Sequence, residues 1–148
     1  MPTVEESNNK SIVARFEEAL SSGDWRVISE TIDEVVAPDA VISTPLPIDA
    51  TGAELLKAVF GRLLSAFPDL HVTVEDLIAE GDKVVARLTH TGTHLGAFLD
   101  LPSTGKHVST TSIHIFRFAD GQLVEHWASR DDMGLMQQLG AIAAKEED

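Results

Sequence analysis

The sequence predicts an α+β fold in which N-terminal helices pack on a strongly curved, mostly antiparallel sheet, forming a cone-shaped barrel with a short C-terminal helix. Three observations predict it. Apolar residues recur at helical spacing up to Pro68, and at a period of two after it. Helices that precede a run of strands segregate onto one sheet face. Segments as long as Lys106 to Phe118 have to bend, and a bent sheet with a helix across its concave side encloses a hollow.

The elements follow in order. From about Ser11, the residues Ile12, Phe16, Ala19 and Leu20 mark a helix that Gly23 closes, and a second stripe of Trp25, Ile28, Ile32, Val35 and Val36 ends at Pro38. Ala40 to Ser43 reads as a short strand, and Pro45 to Asp49 as an irregular crossing segment. Thr51 and Glu54 have capping-box spacing ahead of Leu55, Leu56, Val59, Phe60, Leu63, Leu64 and Phe67, with Pro68 beyond. This third helix is the most apolar and is expected against the sheet. Strands are expected at Leu70 to Ala79, Val84 to His94, Lys106 to Phe118 and Gln122 to about Arg130. Glu80-Gly81-Asp82, a long Leu95 to Gly105 loop and an Asp120-Gly121 turn separate them. Met133 to Leu139 forms the closing helix, and residues 1–7 and 143–148 are expected to be disordered ends.

Composition sets the function classes. A chain of 148 residues with 43% hydrophobic content fits one domain spanning 1–148 with a core of its own. Its 24 acidic against 11 basic residues give a charge of -13, which repels phosphate backbones and anionic membranes, so neither nucleic acid nor membrane is an expected partner. There is no cysteine for a disulfide or thiolate site, and the N-terminal stretch has no secretory pattern. No run approaches the roughly 20 apolar residues that span a bilayer. A soluble cytoplasmic protein is expected.

Five of the six histidines lie in the second half, from His90 to His126, on or beside strand-like segments. Imidazoles and hydroxyls on strands point to a polar-lined cavity rather than a dry core. Register decides which share it. A three-residue loop Ala119-Asp120-Gly121 pairs Phe118 with Gln122, sets His114 opposite His126 and Ser112 opposite Ala128, and gathers Thr110, Ser112, His114, His126 and Arg130 on one face. Ile113, Ile115, Leu123 and Trp127 are then left for the other. A two-residue Asp-Gly turn would set His114 opposite Trp127 instead.

The stretch GTHLGAFLDLPSTGKHV from Gly92 to Val108, with IFRFADGQLVEHW and MGLMQQLG after it, resembles the signature of the SnoaL-like polyketide cyclases and ester cyclases. These belong to the nuclear transport factor 2-like, or ketosteroid-isomerase-like, superfamily. The resemblance runs from the N-terminal helix to about Gly140 and is strongest from Gly92 onward. It implies the cone-shaped fold, a homodimer formed through the sheet, and a polyketide-like ligand. In the family's cyclases an aspartate after the last strand's tryptophan is the general acid/base of an intramolecular aldol closure, assisted by a histidine and a polar residue two positions before it. Carried over by motif, these helpers are His114 and Ser112, but the aspartate position holds Ala128, which cannot move a proton. Asp131 matches a second acidic position of the family pattern.

The residues set each functional reading against a structural one. His114 is expected to polarise a carbonyl, since a pocket histidine titrates near neutrality; the alternative is a satisfied core histidine. Asp131 or His126 would exchange the proton, but Asp131 equally suits the N-cap of the last helix, and on an extended strand it lies about 10 Å beyond Ala128 on the opposite face. His94 either lines the cavity mouth or bonds the backbone of the long loop. Trp127 and Phe116 stack on a flat ligand or fill core, and Arg87 and Arg130 bind an anionic oxygen or stay solvated. The Leu95 to Pro102 loop is a lid or dimer surface.

His90 and His94, about 13 Å apart along a strand, cannot share a metal. A set from different strands, such as His94, His114 and His126, lacks any motif spacing, and no metal or cofactor is expected. The function expected is cofactor-free acid/base chemistry of cyclase or isomerase type on a small hydrophobic carbonyl substrate. The alternatives are a non-catalytic small-molecule binding protein with the same pocket, or an epoxide-hydrolase-like activity.

Overall fold

The computed structural model describes residues 1–143. Helix α1 spans Val4–Ser21, and α2 spans Trp25–Val35. Strand β1 (Val36–Ile42) and helix α3 (Gly52–Ala66) follow, then β2 (His71–Glu80), β3 (Lys83–Thr93), β4 (His107–Ala119), β5 (Gln122–Arg130) and α4 (Asp132–Leu139). The five strands form one sheet in the order β1-β5-β4-β3-β2, with β1 parallel to β5 and the rest antiparallel. Because β1 and β2 are free edges, the sheet does not close on itself. Helices complete the cone.

Local sequence explains most element ends. Thr3 and Glu6 form a reciprocal capping box, which recruits residues 4–7, expected to be a loose end, into α1. Ala143 lies past α4 in irregular chain, and the rest of the expected C-terminal loose end, 144–148, is outside the described residues. The box expected at Thr51 does not form. Thr51 makes no side-chain cap and its hydroxyl donates to the Pro38 carbonyl, while Glu54 pairs with Lys57. Gly52, at φ +53, permits that close approach, since a Cβ there would meet Pro38 O at 2.1 Å.

The core lies between the helices and the concave sheet face. Ile28 and Ile32 of α2 and Val84, Ala86 and Leu88 of β3 are fully enclosed, each large aliphatic contributing about 1.5–3 kcal/mol by burial. Among the described residues, no helix lies on the opposite sheet face. There Ile78, Val85, Ile115 and Trp127 pair in a row across four strands, with Ile78, Ile115 and Trp127 exposed.

The β4–β5 register differs from both expectations. The turn has two residues, so Ala119 pairs with Gln122 and Phe118 with Leu123, but a bulge then skips Val124 and pairs Arg117 with Glu125. His114 therefore faces Ala128, His126 faces Phe116, and Arg130 faces Ser112. The extra residue restores the face alternation that a two-residue turn would invert. Thus Ser112, His114, His126 and Arg130 share one face although the pairing is displaced by two residues. Leu123, expected on the outer face, lies before the bulge and is buried in the core.

Candidate functional site

A cavity of about 270 Å³ lies between the concave face and the helices. Its wall is mostly apolar: Phe16 and Leu20 from α1, Leu56, Val59, Phe60 and Leu63 from α3, and Phe98 and Leu99 from the long loop. Polar groups converge from β3, β4 and β5, where His90, Ser112, His114, His126 and Arg130 line it. Few polar groups on an apolar wall are the usual composition of a small-molecule site.

Four of those side chains form one hydrogen-bonded chain. His126 Nε2 lies 2.7 Å from His114 Nδ1, His114 Nε2 lies 2.9 Å from Ser112 Oγ, and Ser112 Oγ lies 3.4 Å from His90 Nδ1. Alternation brings Ser112 and His114 to the same face of β4, and the Val124 bulge turns His126 onto it. Phe116 backs the cluster, with ring centroids 5.8 Å from His114 and 5.2 Å from His126.

Burial holds all three imidazoles neutral. Desolvation pushes His90 and His126 down to about 4, helped by the Arg130 charge, and lowers His114 further, with His126, His90 and Arg130 adding to the effect. A neutral imidazole donates at one nitrogen and accepts at the other, so the chain has a polarity. If His126 Nε2–H donates to His114, then His114 donates to Ser112, and where the Ser112 hydroxyl passes its own proton to His90 Nδ1, His90 carries its N–H on Nε2. The reverse polarity would bury an N–H on His126 Nδ1, which has no partner among the described residues. An orphaned donor costs more than an idle lone pair. The first polarity therefore prevails, and where the Ser112 hydroxyl donates to His90 it presents a donor there.

Two further groups complete the electrostatics. Arg130 lines the cavity and donates to the Ser43 carbonyl at 3.1 Å. Glu17, on α1, also lines it, is 3% exposed, and its carboxyl makes no hydrogen bond or ion pair among the described residues. Desolvation alone pushes that carboxyl up to about 8.

Several expected positions are corrected. His94 is buried beside the cavity, not on its wall. Its Nδ1 accepts from the Thr104 N–H at 3.2 Å, and its backbone carbonyl takes hydrogen bonds from Gly105 N–H and Ser103 Oγ, which pins the long loop. Trp127 and Arg87 project from the convex face, because they alternate with His126 and Leu88; neither lines the cavity. Ala128 faces His114 across the β4–β5 ladder but is not part of the lining. Asp131 lies at the cavity mouth, exposed, as the N-cap of α4, accepting from Gly134 N–H at 2.9 Å. The His94, His114 and His126 set does not assemble, and no three metal-binding side chains group together among the described residues.

Sequence reasoning missed Glu17 and the inclusion of His90 in the chain. Glu17 did leave a signal: it falls inside the helical stripe Val13, Phe16, Leu20, where an apolar residue is expected.

A cone of helices on a curved open sheet, with a histidine-bearing apolar cavity, defines a nuclear transport factor 2-like ligand-binding or enzyme domain. Within that class the chain belongs to the SnoaL-like polyketide cyclase family, which it matches over residues 10–139. It is 30% identical over 136 residues to the aklanonic acid methyl ester cyclase DnrD of Streptomyces peucetius, covering 90% of this chain and 92% of that protein. It is 28% identical over 114 residues to the nogalonic acid methyl ester cyclase of Streptomyces nogalater, covering 76% and 85%. Among solved structures, TsrD from Streptomyces laurentii superposes with a TM-score of 0.82 at 34% identity, covering 95% of this chain and 100% of that one. No helix among the described residues is long and apolar enough to cross a membrane.

Proposed function

We propose that this protein is a cofactor-free polyketide cyclase that closes a ring by acid/base chemistry on a carbonyl-bearing, mostly apolar substrate. The observation that carries the proposal is the neutral chain His126, His114, Ser112, His90, set in the wall of an apolar cavity. In an intramolecular aldol closure, a C–H next to one carbonyl gives up its proton and the resulting enolate attacks a second carbonyl. An N–H aimed into a dry cavity stabilises charge on the enolate oxygen without reorganising as that charge develops. His90 would supply that N–H, His114 and Ser112 would fix its tautomer, and Arg130 adds positive charge beside it. The names of the ester cyclase relatives, which act on the methyl esters of aklanonic and nogalonic acid, support a polyketide acid methyl ester as the substrate class.

His114 and His126 belong to this proposal as members of the chain, and Ser112 and Phe116 as its supports. Asp131, capping α4, is assigned the mouth of the cavity and not the proton. The test is to incubate the protein with aklanonic acid methyl ester, without added metal or cofactor, and to separate substrate from any isomeric product chromatographically. Enzyme-dependent appearance of a ring-closed isomer is the expected result. Binding of the ester without conversion would favour the non-catalytic reading.

A homodimer through the convex face is part of the same proposal. The paired row Ile78, Val85, Ile115 and Trp127 gives a continuous apolar surface of the kind that two copies bury. Sedimentation of the wild type against Trp127→Glu tests it, with a monomeric variant expected. The cysteine-free composition suits a cytoplasmic location.

A further inference from the structure

Ring closure needs a group that takes a proton from carbon and returns it to oxygen, and the chain described above lacks an anionic member. Ala128 stands where the family's acid would be. The histidines are neutral donors and acceptors in an ordered chain, and Asp131 is engaged with the α4 backbone.

We propose that Glu17 is a catalytic acid/base residue of this cavity, exchanging the proton between the substrate carbon and the oxygen formed on ring closure. The inference rests on the acid/base reading above and deepens it. Glu17 enters the cavity from α1, while the histidine chain enters from the sheet, so a substrate between helix and sheet has a carboxyl on one side and His90 on the other.

Three observations carry it. First, the side chain is buried with no partner among the described residues, which is costly for an ionisable group with only a structural role. Its helix neighbours Val13, Phe16 and Leu20 are ordinary buried apolar residues, so an apolar residue here would pack without that cost. Second, Glu17 is one of the residues lining the cavity, and its carboxyl oxygens are not among the fully sealed side-chain atoms that lack a partner, so it is placed to meet what the cavity holds. Third, its surroundings suit proton exchange with a carbon acid. Apolar burial makes the carboxylate a stronger base, brought to about 8, than a solvated glutamate.

The step balances within the substrate and Glu17. The carboxylate takes the proton as the C–H bond breaks, and the electron pair left on carbon forms the new C–C bond to the second carbonyl carbon. The π pair of that carbonyl moves to its oxygen, which takes the proton back from the Glu17 carboxylic acid. Nothing is oxidised or reduced, and the product is an isomer of the substrate.

The test uses a chromogenic carbon acid, 5-nitrobenzisoxazole, whose ring opens when a base removes its C–H proton. Wild type, Glu17→Gln and Glu17→Asp are compared across pH. The charged and titratable groups sharing the cavity with Glu17 are His90, His114, His126 and Arg130 from the sheet, and Asp131 and Asp132 at the mouth. Wild type should open the ring faster than buffer, with a rate that climbs through an ionisation near 8. Glu17→Gln should lose about 100-fold, and Glu17→Asp should fall between the two. An unchanged rate in a folded Glu17→Gln variant, or a wild-type rate no faster than buffer, would overturn the proposal. Should Glu17→Gln fail to fold, infrared spectra of the wild type decide. A protonated-carboxyl band must disappear on raising pH through the same ionisation, and its absence below that ionisation would overturn the assignment. Ring opening without cyclisation of the polyketide ester would remove the substrate assignment and leave Glu17 standing. Ester cyclisation unaffected by Glu17→Gln would do the reverse.

Discussion

His114 Nδ1 lies 2.7 Å from His126 Nε2, a direct ring-to-ring hydrogen bond in which one imidazole donates and the other accepts. Two imidazolium rings cannot share that contact, because both nitrogens would then carry protons. The pair thus sets a tautomer order that reaches Ser112, whose hydroxyl lies against His90. The neutrality of the cluster is a direct consequence of burial.

That neutrality makes the protein acid-labile. The folded pKa values of His90, His114 and His126 lie below the ordinary 6.5, so the unfolded chain binds more protons as pH falls. Their contribution is complete above about 6.5 and is lost as pH drops toward 4. The thermal midpoint should fall steeply in that window. His126→Phe, which fills the same space without a proton site, should shallow the slope.

Glu17 gives the opposite sign on the alkaline side. Its folded pKa is raised, so its contribution is complete below 4.5 and is lost as pH rises through about 8. Between pH 7 and 8 the wild type should lose about 1 kcal/mol from this group, since one titrating group changes stability by at most about 1.4 kcal/mol per pH unit. Glu17→Gln should be flat over the same range, as measured by denaturant unfolding at stepped pH.

Asp131 should behave as a helix cap. Asp131→Ala removes the acceptor for Gly134 N–H and should cost about 1 kcal/mol of stability. Asp131→Asn keeps the cap and should leave both stability and ring closure near wild type. A large loss of turnover in Asp131→Asn at unchanged stability would return this carboxylate to the chemistry.

The loop carrying Phe98 and Leu99 should depend on Gly96. Its N–H and that of Leu95 both donate to the Ala66 carbonyl at the end of α3, and a Cβ on Gly96 would sit 2.2 Å from Ser65 O. Gly96→Ala must therefore lift the loop from α3. Weaker ligand binding is expected, with a loss of about 1–3 kcal/mol of stability; titration calorimetry and thermal unfolding measure the two.

Much of this was legible in the sequence because it depends on period and punctuation. The switch of period at Pro68 separated helices from strands, and β5 runs from Gln122 to Arg130 as the alternation indicated. The cavity face of β4, and of β5 beyond Val124, was legible too, since it depends only on parity, whereas parity puts Leu123, before the bulge, on the wrong face. Register was not, because Val124 carries no mark that distinguishes a bulged residue from a paired one. The His126 to His90 chain was out of reach for the same reason: it crosses three strands and needs their pairing. Trp127 follows His126 directly, so alternation already set it on the convex face, and its aromatic character was a misleading guide. Glu17 was visible as a charge inside an apolar stripe, but only the cavity against which α1 packs gives that charge a use.

The central claim is that the histidine chain acts in chemistry and not only in binding. The most direct test measures aklanonic acid methyl ester affinity and single-turnover ring closure side by side for wild type and His114→Ala. His114→Ala removes the link that orders His126, Ser112 and His90, so the ring-closure rate should fall by about 100-fold or more while the dissociation constant changes by less than about fivefold. Equal losses in rate and affinity would contradict the claim and leave the cavity as a binding site.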